Sequence, residues 1–314
     1  MGVTAGGGDV SSPAVTVVIT CRNHAHFLPD AIDSVQRQTF RDFELIVVDD
    51  GSTDATAAVA ARYPDARYVW QAHAGLPAAR NAGVRAARGR HVVFLDADDR
   101  LLPAALRIGV ECAARNPEAA FVSGHYAVID RDGHRVSDRR RACVIASHYE
   151  ALLRVNYIGM HATVLYRRET LERHGGFDES LPASEDYDLY LRVARVEPVV
   201  CHPELVAEYR WHGANMSLNS GLMLTATLRV LRRQREHVRG HARLEEAYRE
   251  GVTFWQRLFG EPLLDELARR ARSGRAWAAA VRLLGVALWH YPHGLTWRIG
   301  RFTRRLIREH AWLR

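Results

Sequence analysis

The sequence predicts an α/β protein, with a mostly parallel sheet flanked by helices over residues 15–219 and an all-helical region over residues 220–314. Three observations carry this reading. Short apolar, β-branched runs alternate strictly with helix-spaced stretches through the first hundred residues, as a parallel sheet covered by helices requires. Acidic clusters recur where those runs end. The charge also divides along the chain. There is no lysine, and residues 1–220 hold 24 Arg against 28 acids while residues 221–314 hold 19 Arg against 8. The overall balance of +7 therefore belongs to an Arg-rich helical tail and not to the sheet region.

Residues 1–14 form a Gly/Ser-rich lead-in, expected to be disordered, without the basic start and apolar run of a secretory signal. Val15–Thr20 (VTVVIT) reads as a fully buried strand. After the polar loop CRNHAHF, Leu28–Gln38 sets Leu28, Ile32 and Val35 at helical spacing. Phe43–Val48 (FELIVV) is a second buried strand ending in Asp49-Asp50-Gly51-Ser52, and Asp54 suits the N-cap of a helix over Ala55–Tyr63. Arg67–Trp70 is a third strand, Pro77–Ala87 a helix, and His91–Leu95 a fourth strand running into Asp96-Ala97-Asp98-Asp99. A helix over Pro103–Asn116, a strand near Ala120–Ile129, an Arg/Asp-rich turn and a strand over His161–Tyr166 follow. Gly175–Val193 closes in a helix. In the tail, Leu222–His237 reads as one helix, and Pro262–Arg272 with Ala276–Tyr291 as an antiparallel pair joined near Ser273-Gly274. A last stripe holds Ile299, Phe302, Leu306 and Leu313.

In sheets of this kind ligands bind where the strands' C-terminal ends open, so Thr20, Asp50 and Asp96–Asp99 are expected to converge. Several classes are disfavoured. The four cysteines are widely spaced without a CxxC pair, which argues against a zinc site or disulfide scaffold and suits a reducing cytosol. No window reaches the length of an apolar membrane span; Ala276–Trp289 is too short and is interrupted by Arg282. No GxGxxG follows the first strand, against a dinucleotide dehydrogenase. With the first 220 residues net negative and no basic-aromatic motif, no nucleic-acid partner is expected.

The motifs admit two readings each. A carboxylate of Asp49-Asp50 can accept from a base or ribose, or can cap the next helix. Three acids crowded at the end of a buried strand repel one another unless a hard divalent cation joins them to phosphate oxygens; alternatively, they open a helix. In Glu185-Asp186 one carboxylate can serve as general base, or both can be helix N-terminal acids behind Ser184. Arg80 in GLPAARNAG can grip phosphate or ribose oxygens. His212 in YRWHGANMS can ligate metal or phosphate, or simply pack.

Taken in order, VTVVITCRNHAHFLPDAIDSVQRQTFRDFELIVVDDGSTD, GLPAARNAGVRAARGRHVVFLDADD, GGFDESLPASEDYDLYLRV and YRWHGANMS closely resemble the family 2 glycosyltransferases, over roughly two thirds of the chain. The resemblance implies the GT-A fold, a nucleotide-sugar donor (UDP- or dTDP-linked), a divalent metal (Mn²⁺ or Mg²⁺) and inverting transfer to a saccharide, lipid-linked or other hydroxyl acceptor, as in the building of cell-envelope polysaccharide. It implies Thr20 and Asp50 as nucleoside contacts and Arg80 as a further donor contact. Asp96 and Asp98 take the DxD positions on the donor side, with Asp98 and His212 as metal ligands. Asp186 becomes the catalytic base, with Glu185 beside it toward the acceptor. The family often has Tyr where Cys21-Arg22 stands, and the QxxRW motif of processive synthases is missing, which favours single additions.

Two other functions share some of these features. A nucleotidyltransferase would also place a strand-end Asp pair on metal, but needs a Gly-rich phosphate loop that CRNHAHF does not supply; a non-catalytic nucleotide-sugar binding protein would keep the same fold. The Arg-rich tail reads either as a helical subdomain packed on the core or as a basic amphipathic surface for anionic membrane. The expected location is cytoplasmic, with peripheral attachment at the inner face of the membrane under the second of these readings.

Overall fold

A computed structural model describes residues 12–140, 142–273 and 277–298. It divides into two compact units. The first comprises Met1–Ile145, Ile158–Glu179 and Arg192–Trp211; the second comprises Ala146–Tyr157, Ser180–Leu191 and His212–Arg314. The second unit thus draws on two internal segments as well as the tail.

The first unit is built on β1 (Val15–Cys21), β2 (Phe43–Asp50), β3 (Ala66–Gln71) and β4 (His91–Asp96), all parallel and in the order β3-β2-β1-β4. Helices α1 (Leu28–Gln36), α2 (Thr56–Ala60) and α3 (Leu76–Ala86) make the crossovers. β1 is central and buried at every position, which is why its sequence is a continuous β-branched run and not an alternating one. Leu28, Ile32 and Val35 of α1 pack with Val15, Val17 and Ile19. Gly83 of α3 lies so close to Val18 that any Cβ there would meet its methyl groups.

Beyond β4 the sheet becomes mixed, in the order β8 (Val164–Arg167), β6 (Phe121–Ile129), β9 (Val200–Arg210) and β5 (Arg100–Leu101), with β7 (Arg135–Arg139) on β6. β8 is antiparallel to both β4 and β6, and β9 is parallel to β6. α4 (Ala105–Arg115) and α6 (Arg168–Arg173) join these strands. β5, β7, β9 and α6 are additions to the elements expected from the sequence. β9 hides itself by Pro203, a residue that argues against an inner strand; here it falls where the β6–β9 register shifts, so no ladder hydrogen bond is required of it. Helix α1 ends two residues earlier than its periodicity suggests. Gln38, fully buried, instead donates through Nε2 to the Ser34 and Leu102 carbonyls and accepts from the Leu106 amide through Oε1. The helix over Thr56–Ala60 is shorter than expected and its N-cap position is Ala55, not Asp54; Asp54 instead accepts from the Thr56 amide at 3.0 Å from one residue further out.

The second unit holds α5 (His148–Arg154), the start of α7 (Glu185–Ala194), α8 (Ser220–Val238), α9 (Ala242–Ser273) and α10 (Trp277–His290). Asn219 caps α8 by accepting from the Leu222 amide at 3.1 Å. α9 runs unbroken past Pro262, so the helix expected to begin at that proline begins twenty residues earlier. The stripe Ile299, Phe302, Leu306 and Leu313 lies outside the described residues. Tyr187 donates to the Leu152 carbonyl at 2.6 Å and packs on Trp255, which stacks on Phe259. Among the described residues no helix is long and apolar enough to cross a membrane.

α5 and α9 approach at Gly251, where a Cβ would land on the carbonyl oxygen of Leu153. Backbone cannot yield as a side-chain tip does, so Gly251→Ala should destabilise the chain by about 1–3 kcal/mol, within the overpacking range. A urea-unfolding midpoint equal to wild type would refute this close contact.

Candidate active site

The register of the parallel sheet puts the C-terminal residues of β1 and β4 side by side, Thr20 opposite Asp96. The Thr20 hydroxyl donates to Asp96 Oδ1 at 2.9 Å. Arg80, on α3 and only 3% exposed, donates from Nη2 to Asp96 Oδ1 at 3.1 Å and Oδ2 at 3.3 Å. Its guanidinium lies 5.7 Å from the centre of the Phe177 ring. Phe177 is fixed by the neighbouring Asn81, whose amide exchanges hydrogen bonds with the Phe177 main chain, 2.9 Å in each direction. Gly176 has φ +68 and leaves no room for a Cβ beside Asn81. His161 completes the packing against Phe94, Tyr166 and Phe177; burial, with the Arg80 charge, pushes its pKa well below the ordinary value and keeps it neutral.

After Asp96 the chain turns tightly. The Asp99 amide donates to the Asp96 carbonyl, and the Ala97 amide to that of Thr20. Asp98 is half-buried and Asp99 buried. Burial, then the nearby charges of Asp98 and Asp96, raise the Asp99 carboxyl well above the usual range. The turn is tied down by Arg210 at the end of β9, a side chain 1% exposed. The Arg210 amide donates to Asp99 Oδ1 at 2.8 Å. Its guanidinium donates to the Asp98 carbonyl (2.7 Å), the Arg131 carbonyl (2.8 Å) and Asp30 Oδ2 (2.7 Å), and lies over the Phe27 ring.

At the end of β2, two strands from β4, Asp49 and Asp50 divide their work. Asp49 caps the following turn through the Ser52 amide and accepts from the Tyr68 hydroxyl at 2.5 Å. Asp50 accepts from Gln71 Nε2 and the amides of Ala74 and Gly75, with His73 Nδ1 at 2.7 Å. Burial opposes the charge, but these donors, the Ala74 amide foremost, hold the carboxyl below its ordinary pKa. Asp50 therefore shapes the loop between β3 and α3. Gly51, at φ +70, has the His73 main chain where a Cβ would sit.

The structure thus brings Thr20, Arg80 and Asp96 into direct contact and sets Asp98 in the same turn, with Asp50 on the next strand but one. Glu185, Asp186 and His212 belong to the second unit. Glu185 and Asp186 open α7 behind Ser184, whose φ is +60. Glu185 is buried and Asp186 half-buried, with its Oδ1 accepting from the Tyr187 amide. Ser184 pairs with Thr227, and buried Asp188 with Arg233 at 3.0 Å. His212 turns Nδ1 toward its own loop, 3.3 Å from the Ala214 amide. Asp99 falls within the acidic cluster that the sequence marks, but Arg210 was not singled out there. Arg210 stands in YRWHGANMS, and an arginine ending a half-polar strand carries no mark of burial until its partners, 79 to 180 residues away, are known.

Comparison with known proteins follows from this geometry. The profile of Glycosyl transferase family 2 matches residues 16–175, about half of the chain. An uncharacterized glycosyltransferase of Rickettsia prowazekii is 29% identical over 220 residues, covering 67% of this chain and 69% of that protein. S. aureus TarS, solved in complex with UDP-GlcNAc, superposes with a TM-score of 0.60 at 16% identity, over 76% of this chain and 71% of that one. The mannosyltransferase PcManGT from Pyrobaculum calidifontis, in complex with GDP-Man and Mn²⁺, gives 0.58 at 22% identity, over 92% and 84%. These structural likenesses bear on the fold, and they fit the GT-A architecture expected from the sequence.

The Arg210 side chain satisfies two carbonyls and one carboxylate at once, so its loss removes three hydrogen bonds that hold the turn. Arg210→Met should cost about 2–4 kcal/mol. Arg210→Lys should rescue little of it, because a point charge cannot reproduce a planar fork. A denaturation curve in which the lysine variant matches wild type would refute the role given to the fork.

Proposed function

Because this chain belongs to glycosyl transferase family 2, we propose that it moves a sugar from a nucleoside-diphosphate donor to an acceptor hydroxyl with inversion at the anomeric carbon. It is a transferase enzyme; the proposal concerns its mechanism and substrates. The observation that carries it is the charge arrangement at the end of β4. Asp96 receives buried Arg80 and the Thr20 hydroxyl, and Asp98 stands two residues on in the same tight turn, so that two carboxylates meet at the end of one strand.

Such a site fits a hard divalent cation, Mn²⁺ or Mg²⁺, which binds through one or two carboxylates and completes its shell with substrate phosphates. Asp98 would hold it, with Asp96 beside it, and the bound ion would supply positive charge for the departing diphosphate. His212 is left out of this ligand set, which rests on first-unit residues alone.

The chain's own groups do the remainder. Thr20 and Arg80 fix the Asp96 carboxylate, so its oxygens are oriented before the donor arrives. Asp50 organises Gln71–Gly75 for the nucleoside of a UDP- or dTDP-sugar. Asp186 accepts the proton of the acceptor hydroxyl as that oxygen attacks the anomeric carbon from the face opposite the diphosphate, which departs with the bonding electron pair. Glu185 orients the acceptor side. The acceptor class is a saccharide or lipid-linked hydroxyl, as in assembly of cell-envelope polysaccharide.

A separate observation favours work at a membrane surface. α10 presents Trp277, Val281, Leu284 and Leu288 at helical spacing, all exposed, in a region of net charge +11. An apolar stripe within a cationic region suits an anionic lipid surface.

Thermal shifts with a panel of nucleotide sugars should show stabilisation by one donor only with Mn²⁺ present. Asp98→Ala should lose that metal dependence. Asp186→Asn should keep the donor shift while transfer falls about 10²–10⁴-fold, the usual worth of a positioned base. Retained turnover in Asp186→Asn sinks the base assignment; an unchanged metal titration in Asp98→Ala sinks the metal assignment. In liposome flotation the full chain should float with anionic vesicles in a salt-sensitive manner, and Trp277→Ser with Leu288→Ser should weaken this. Equal recovery with neutral vesicles would reject the surface role.

A further inference from the structure

Four cysteines without a CxxC pair argue in sequence against a zinc site, but the first unit brings two of them together. Cys143, after β7, and Cys201, near the start of β9, have their Sγ atoms 3.2 Å apart although 58 residues separate them. His125, buried on β6, points Nε2 at Cys143 Sγ from 3.9 Å. All three ligand atoms lie within 4.8 Å of one another.

We propose that His125, Cys143 and Cys201 form a binding site for a thiophilic divalent cation of the zinc class, separate from the candidate active site. The distances support this. With Zn–S about 2.3 Å and Zn–N about 2.0 Å, a tetrahedral ion has ligand–ligand edges of about 3.5–3.8 Å. The S···S and S···N separations of 3.2 and 3.9 Å straddle that range. Two thiols and an imidazole are soft and borderline donors, which select zinc over the hard ions suited to Asp98.

Binding would displace two thiol protons, so the two thiolates balance the ion's charge. Three protein ligands leave the fourth position to water. The site also has a place in the fold. Cys201 pairs with Ser123 in register and Arg210 with Ile129, six residues on, so roughly 20 Å of strand lies between this cluster and the Arg210 anchor. The ion would pin the segment after β7 to the β6–β9 pair.

The test uses the full-length chain, reduced and freed of metal by chelation, with excess Mn²⁺ to occupy the carboxylate site. After addition of Zn²⁺ and desalting, one equivalent should be retained per chain by elemental analysis. Co²⁺ in its place should give thiolate-to-metal charge-transfer bands and intense tetrahedral visible bands. Cys143→Ser, Cys201→Ser and His125→Gln should each lose the equivalent, and Asp98→Ala should keep it. The proposal is overturned by no retained zinc, by retention in the Cys143→Ser, Cys201→Ser double variant, or by a cobalt spectrum without thiolate bands. A Cys143–Cys201 disulfide in a chain whose reduced form binds no zinc would also overturn it. Should the variants fail to fold, the wild-type cobalt spectrum decides alone.

Discussion

Three carboxylates at the end of one buried strand repel one another, and the first unit is organised around containing that repulsion. Asp96, Asp98 and Asp99 fall within four consecutive positions at the end of β4, with Asp99 buried and the other two half-buried. Each is handled differently. Asp96 receives the guanidinium of Arg80 and the hydroxyl of Thr20; Asp99, its carboxyl raised above the usual range by burial, accepts from the Arg210 amide; the Asp98 main chain is held by the Arg210 side chain.

The same constraint explains the buried arginines. A guanidinium inside a protein needs its planar donors satisfied, or desolvation outweighs the attraction. Arg210 meets this with acceptors from three separate segments and an aromatic ring, while Arg80 directs Nη2 at both oxygens of the Asp96 carboxylate and lies against Phe177. Phe177 is itself set by Asn81, the residue after Arg80, so the Gly176-Phe177 turn and the start of α3 are placed by one another. The position of the acidic turn therefore depends on strands β1, β4 and β9 and on helix α3 together. No one of them would hold it alone.

Much of this was legible in the sequence where the signal was local. Continuous β-branched runs marked β1, β2 and β4, and the acids ending them marked the site, because side-chain period and strand-end position are properties of neighbouring residues. β9 was not legible, because Pro203 speaks locally against a strand and only the register shift opposite β6 excuses it. The burial of Arg210, its amide bond to Asp99 and the engagement of Asp50 by the Gln71–Gly75 loop depend on partners far along the chain. The cysteines are the sharpest instance: their spacing argued against a metal, and folding put two sulfurs and an imidazole within ligand range.

By itself, the sequence determined the parallel β1–β4 core, the acidic strand end, the all-helical character of the tail and the uneven distribution of its charge. These follow from periodicity, residue type and counting, which need no knowledge of contacts. The tertiary structure alone decided which arginines are buried, which carboxylate is shut away from water, how the second half of the sheet is ordered, and which distant side chains meet. Desolvation and coordination act between groups brought together in space, and their energies exist only once the chain has closed around them.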